Sequence, residues 1–232
     1  MDANREEGAD IGSASGGSLP WSTLFLGIFA LAFGTLLFEI SLIRVFSFTI
    51  WHHFGYVVIS TALLGFGASG TILAIRPTAG RTDLGSTLSR CALASGLTMV
   101  GALVLFAWIP LNPMALFDEP QQALVLLLYQ VLAATPFFFS GLAVSLALRT
   151  GSARVDRLYF WDLMGGGLGC FGAVALMNWL TPPGVCVVAG AALAISAAIF
   201  ATRVGPRRVA FVVAVALVLL APAAHRLPFT PA

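Results

Sequence analysis

The sequence predicts an all-α fold, a polytopic transmembrane helix bundle with six to seven spans. Three observations carry that expectation. The chain is 59% hydrophobic and only 9% charged, with mean hydropathy +0.95. Soluble domains carry about 25% charged residues, so a chain this poor in charge cannot clothe a globular surface in water. Its apolar residues fall in long unbroken runs, each near the ~20 residues that a helix needs to cross roughly 30 Å of hydrocarbon. Lipid-buried sheet would have to close into a barrel of short alternating strands, which such runs do not form.

Residues 1–20, "MDANREEGADIGSASGGSLP", are polar and rich in Gly and Ser, and read as a disordered tail. Their acidic start lacks the basic n-region of a signal peptide. The transmembrane domain covers residues 21–224. Its spans are expected at Trp21–Ile50, Phe54–Ile75, Cys91–Pro110, Ala123–Leu148, Leu158–Leu180 and Gly184–Thr202. Val209–Ala224 is a shorter seventh candidate, and residues 225–232 form a C-terminal tail.

All twelve basic residues are Arg, and nine of them occupy alternate connections. These are Arg76, Arg81 and Arg90; Arg149, Arg154 and Arg157; and Arg203, Arg207 and Arg208. The intervening connections carry none. The positive-inside rule places the Arg-bearing loops and the N-terminus in the cytoplasm. Trp21, Trp51, Trp108, Trp161 and Trp179 all fall near span ends, as an interfacial aromatic belt requires.

Gly65-Phe66-Gly67-Ala68-Ser69-Gly70 matches the G-x-G-x-x-G of a dinucleotide loop. Such a loop follows a strand and opens a helix whose N–H groups meet a pyrophosphate. Here it lies inside an apolar run with no suitably placed acidic residue after it. Gly65/Ser69 and Gly67/Thr71 instead have the small-xxx-small spacing of close helix contact. Gly165-Gly166-Gly167-Leu168-Gly169 reads the same way. No cofactor is expected. Cys91, Cys170 and Cys186 lie in or beside spans with no C-x-x-C pair, as buried inert thiols do. No metal set appears, and no nucleic-acid partner is expected.

Charges inside spans are costly and are candidates for function. Glu39 is the deepest, about 27 Å from Trp21 at 1.5 Å per residue. Arg44 stands about 10 Å from Trp51 on the same rise, and points about 140° away from Glu39, so an i,i+4 bridge is not expected. A purely structural role would be snorkelling for Arg44 and an interhelical hydrogen bond for Glu39. His52 and His53 sit at the outer interface, without the further ligands that a metal needs. Asp118 and Glu119 lie in the outer loop between the third and fourth spans. With Glu39 and Arg44 these residues would line an outward-facing vestibule that favours a cation. Asp162 lies near the inner interface, where helix-dipole attraction and the neighbouring arginines offer a structural alternative.

The segments "FEISLIRVFSFTIWHHFGYVVISTALLGFGASG" (38–70), "TPFFFSGLAVSLAL" (135–148) and "LYFWDLMGGGLGCFGA" (158–173) resemble the membrane domain of bacterial spermidine-synthase-like proteins. Glu39 and Arg44 match its first span, and Asp162, Leu163, Gly165 and Gly169 match its D-L-x-G-x-x-x-G segment. The resemblance implies a multi-pass protein of the bacterial inner membrane. In that family the membrane domain commonly precedes a soluble aminopropyltransferase-like domain, and these 232 residues carry none of its site. Catalysis is therefore not expected of this chain, since no nucleophile–base pair or metal set appears. The function expected is binding or transport of a small cationic solute through Glu39, Arg44, His52, His53, Asp118, Glu119 and Asp162. The alternative is a non-transporting anchor that meets only the lipid bilayer and a soluble enzyme domain or other membrane subunits.

Overall fold

The computed structural model describes residues 19–49, 55–75, 83–109, 111, 120–202 and 204–226. Among them the chain is helical and has seven long helices: α1 (Trp21–Thr49), α2 (Gly55–Ile75), α3 (Leu84–Trp108), α4 (Pro120–Thr150), α5 (Val155–Leu176), α6 (Pro182–Phe200) and α7 (Val204–Leu220). Short 3-10 turns precede α5 and follow α7. The fold is an all-α bundle, and six of its helices are long and apolar enough to cross a membrane.

Those six differ from the expected set at two places. α7, extended to Ala224, qualifies, whereas α5 does not. Asp156, Arg157, Asp162 and its several glycines dilute the apolarity of α5. Its 22 residues nevertheless span about 33 Å, enough for a crossing. α3 also begins seven residues before the expected Cys91, because Leu84–Arg90 continue the same helix. There the Thr87 N–H and the Ser86 and Thr87 hydroxyls all donate to the Asp83 carbonyl.

Local chemistry explains the helix ends. Thr181 caps α6, its hydroxyl accepting from the Gly184 N–H at 3.4 Å, and Pro182 and Pro183 occupy the first turn where no N–H partner exists. Arg149 donates to the Leu73 carbonyl at 3.3 Å, neutralising one of the orphan acceptors at the C-terminal end of α2. Arg154 stacks 4.9 Å over the Trp21 ring.

Contacts between neighbours fix the direction of every helix. α1 and α5 run parallel: Phe25 stacks on Trp161 at 6.5 Å, Gly165 rests on the Phe29 carbonyl, and Gly169 on that of Phe33. α2 and α4 are also parallel, joined by Thr61 to Gln130, Gly65 to Ala134 and Leu73 to Arg149. α1 is antiparallel to α4, with Phe38 on Phe137 at 5.8 Å, and to α6, where Ser196 donates to the Gly27 carbonyl at 2.8 Å. α3 is antiparallel to α4 and to α6, and α7 is antiparallel to α6. The seven helices thus alternate in direction. Arg90, Arg149, Arg154, Arg157, Arg207 and Arg208 lie towards the face from which α1 starts, and Trp108 and Trp179 lie at the other.

α6 is the core helix. Its Ala- and Gly-rich surface is enclosed by α1, α3 and α7, and Gly96 of α3 lies so near Gly190 that a methyl there would stand 2.8 Å from the Gly190 carbonyl oxygen. Small residues let helices approach in this way where lipid supplies no hydrophobic drive between them. The outward faces are apolar, with Leu63 and Leu64 of α2, Leu127 of α4, Phe171 and Val174 of α5, and Phe211 and Leu219 of α7 all exposed. Such a surface contacts a lipid bilayer, and the chain is a multi-pass membrane protein.

A candidate cation cleft beside a hydroxyl cluster

The two parallel pairs, α1/α5 and α2/α4, leave a cleft between them. α4 and α5 barely touch, and α1 forms its floor. The cleft holds about 420 Å³ and is lined by Ala32, Thr35 and Leu36 of α1, Phe66 of α2, Val144 of α4, and Asp162, Leu163, Gly166, Gly167 and Cys170 of α5. That volume lies within the roughly 300–1,000 Å³ typical of small-molecule sites. Asp162 is the only charged group in its wall among the described residues. It is half-buried and has no hydrogen-bond or ion-pair partner among the described residues.

The close contact of α5 with α1 puts Asp162 there. Gly165 and Gly169 press on α1 backbone, which turns the neighbouring stripe of Asp162, Gly166 and Cys170 towards the α2/α4 pair. Asp162 sits in the third turn of α5, so the first-turn acidic residue that answers the helix dipole is Asp156. No arginine among the described residues pairs with Asp162.

Glu39 lies one turn beyond Thr35 on the same stripe of α1. It is half-buried, close enough to Cys170 for the two to interact electrostatically, and without a hydrogen-bond partner among the described residues. It is not part of the cleft wall. Arg44 is exposed on the C-terminal third of α1 and is not brought to the cleft. His52, His53, Asp118 and Glu119 lie outside the described residues. No cluster of His, Cys, Asp and Glu able to hold a metal occurs among the described residues.

The sequence reading did not single out the polar centre of the bundle. Thr35 of α1, Ser95 of α3 and Ser140 of α4 are fully buried and meet where these helices cross. Ser140 Oγ lies 3.0 Å from Thr35 Oγ1 and 2.8 Å from Ser95 Oγ. Thr35 also reaches the Leu31 carbonyl at 2.8 Å, and Ser95 the Pro136 carbonyl at 2.7 Å. Thr35 belongs both to this cluster and to the cleft wall. Hydroxyl residues occur near mid-span in all three helices, Thr98 and Thr135 among them, and only tertiary packing shows which ones converge.

The glycine stripes divide. A methyl on Gly65 would stand 2.6 Å from the Ala134 carbonyl oxygen, and Ser69 is buried beside Gly141, so this stripe is a helix contact. Gly67 has nothing within 4 Å and Thr71 is exposed, so the expected contact at Gly67/Thr71 does not form. α4 meets the opposite side of α2 and leaves that stripe facing outward. Of the cysteines, Cys91 and Cys186 are buried and Cys170 is partly exposed in the cleft.

Aromatic rings cluster towards each end of the bundle. Phe46, Phe106 and Tyr129 pack at centroid distances of 5.2, 4.6 and 6.0 Å, and the Tyr129 hydroxyl donates to the carbonyls of Phe106 and Ile109. Trp21, Phe25, Phe29 and Trp161 pack at the Arg-bearing end. Searches against protein-family models, curated proteins and solved structures find no match to this chain.

Proposed function

We propose that this membrane bundle binds a small cationic solute, a protonated amine, in the cleft between α1/α5 and α2/α4. The observation that carries the reading is Asp162, a half-buried carboxylate without a partner among the described residues, facing an otherwise largely apolar cavity of about 420 Å³. A carboxylate in such a place is stabilised by a cation, and the apolar wall accommodates the methylene groups of an amine. Glu39 extends the same stripe towards the opposite face and supplies a second acidic group for a polyamine. The resemblance to spermidine-synthase-like membrane domains supports the same substrate class. Residence in the bacterial inner membrane, with the Arg-bearing face and the N-terminus in the cytoplasm, completes the proposal.

Two experiments test it. Spermidine and putrescine should raise the melting temperature of the purified protein and slow alkylation of Cys170, and Asp162→Asn should abolish both effects while leaving the unliganded melting temperature near wild type. Equal amine binding by wild type and variant would remove Asp162 from the site. In intact cells, a cysteine at Ser152 should react only with reagents admitted to the cytoplasm. A second reading, a non-transporting anchor, is favoured by the cleft wall stopping short of Glu39. Uptake of labelled spermidine into proteoliposomes separates the two, since an anchor gives none above empty vesicles.

A further inference from the structure

A second cavity lies on the opposite side of the bundle, between α6 and α7. It holds about 660 Å³ and is lined by Ile195, Ala198, Ile199, Phe211 and Val212, with Arg207 and Arg208 at its end. The groove continues along the same helices as a wholly apolar trough past Ala214, Val215, Val218 and Leu219. From Arg207 to Leu219 the rise is about 18 Å at 1.5 Å per residue. One leaflet contributes about half of the ~30 Å hydrocarbon thickness. The groove therefore runs the depth of a single leaflet, starting from the Arg-bearing face.

Its charge has one sign. Arg207 and Arg208 are exposed, and the wall contains no acidic residue. Arg90 of α3 lines a smaller hollow just beyond, with Thr202 and Pro206. Asp83, which precedes α3, accepts from the Thr202 hydroxyl at 2.8 Å and is outside the groove wall. The positive end of the α7 dipole adds to the arginines. An apolar trough one leaflet deep, ending in paired guanidinium groups at the headgroup level, has the form of a lipid site.

We infer that the α6/α7 groove binds one anionic phospholipid, its acyl chain in the trough and its phosphate on Arg207 and Arg208. Arg is suited to this because its planar fork can give two parallel hydrogen bonds to a phosphate. The site is independent of the Asp162 cleft and selects for opposite charge.

The test uses the full chain, purified in detergent and stripped of lipid, with melting temperature and native mass spectrometry as readouts. Dioleoylphosphatidylglycerol should stabilise the protein more than dioleoylphosphatidylcholine and remain bound as a one-to-one adduct. R207Q/R208Q should bind the anionic lipid on the order of tenfold more weakly, as expected for losing two basic contacts at a charged headgroup. Ile195→Trp, which fills the trough from an exposed position, should weaken both lipids. Equal stabilisation by the two lipids would overturn the proposal. So would a double variant that binds like wild type, or inorganic phosphate reproducing the effect of the lipid. A dimer in detergent that Ile195→Trp dissociates would assign the groove to a second copy of the chain instead.

Discussion

Gly67 and Gly169 carry the same absent side chain in opposite surroundings. Gly169 rests on the Phe33 carbonyl, so Gly169→Leu must push α5 off α1 and should cost about 3 kcal/mol or more. Gly67 faces open space, and Gly67→Leu should change stability by less than ~0.5 kcal/mol. Comparing the melting temperatures of the two variants checks this, and equal losses would mean that α2 has a neighbour on that side. Ser140→Ala should cost only about 0.6 kcal/mol, the usual scale of an interhelical hydrogen bond in a membrane, because Thr35 and Ser95 keep their carbonyl acceptors. Ser140→Leu, at a fully buried helix crossing, should cost several times as much through overpacking. At this scale the sequence was legible for charge and depth, which singled out Glu39 and Asp162. It was not legible for direction. Nearly all residues around each span are apolar, so periodicity could not say which glycine stripe faces protein and which faces outward.

Helices were the most legible level. Apolar runs and Arg-bearing connections marked six of the seven and offered α7 as a shorter candidate, because hydrocarbon thickness sets a minimum length that sequence alone displays. The differences came at the ends, where capping and packing decide. α3 gains two turns from Ser86 and Thr87 bonding back to Asp83, a local effect that hydropathy does not register. α5 inverts the usual relation, since the residues that make it look least like a span are its glycines, which seat it on α1, and Asp162, which it presents to the cleft. α2 is held mainly by α4, and its last turn is pinned by Arg149. Arg149→Ala should therefore cost about 0.5 kcal/mol, the order of a helix-end charge. Amide hydrogen exchange should quicken around Leu73, and unchanged exchange there would show that the Arg149 contact does not hold the helix end.

Across the whole molecule, strict alternation makes a prediction independent of which side is cytoplasmic. Ser152 and Trp179 flank α5, and both are exposed. In a background with Cys91, Cys170 and Cys186 replaced, single cysteines at these two positions should label from opposite sides of the membrane. Labelling from one side would mean that α5 turns back rather than crossing. Sequence could supply the alternation of loops but not the pairing of helices, because parallel neighbours such as α1 and α5 are distant in the chain and meet only through shape. The centre of that arrangement has a further property. Thr35, Ser95 and Ser140 hold one hydroxyl proton each, yet the geometry offers four short contacts among them and the Leu31 and Pro136 carbonyls. With Ser95 donating to the Pro136 carbonyl, Ser140 donates to Ser95, and the single Thr35 proton goes either to the Leu31 carbonyl or to Ser140. The Thr35 hydroxyl therefore has two acceptors for one proton, and its dipole has two orientations in a medium of low permittivity. Because Thr35 also lines the cleft, a cation placed there would favour the orientation that turns its oxygen towards the charge.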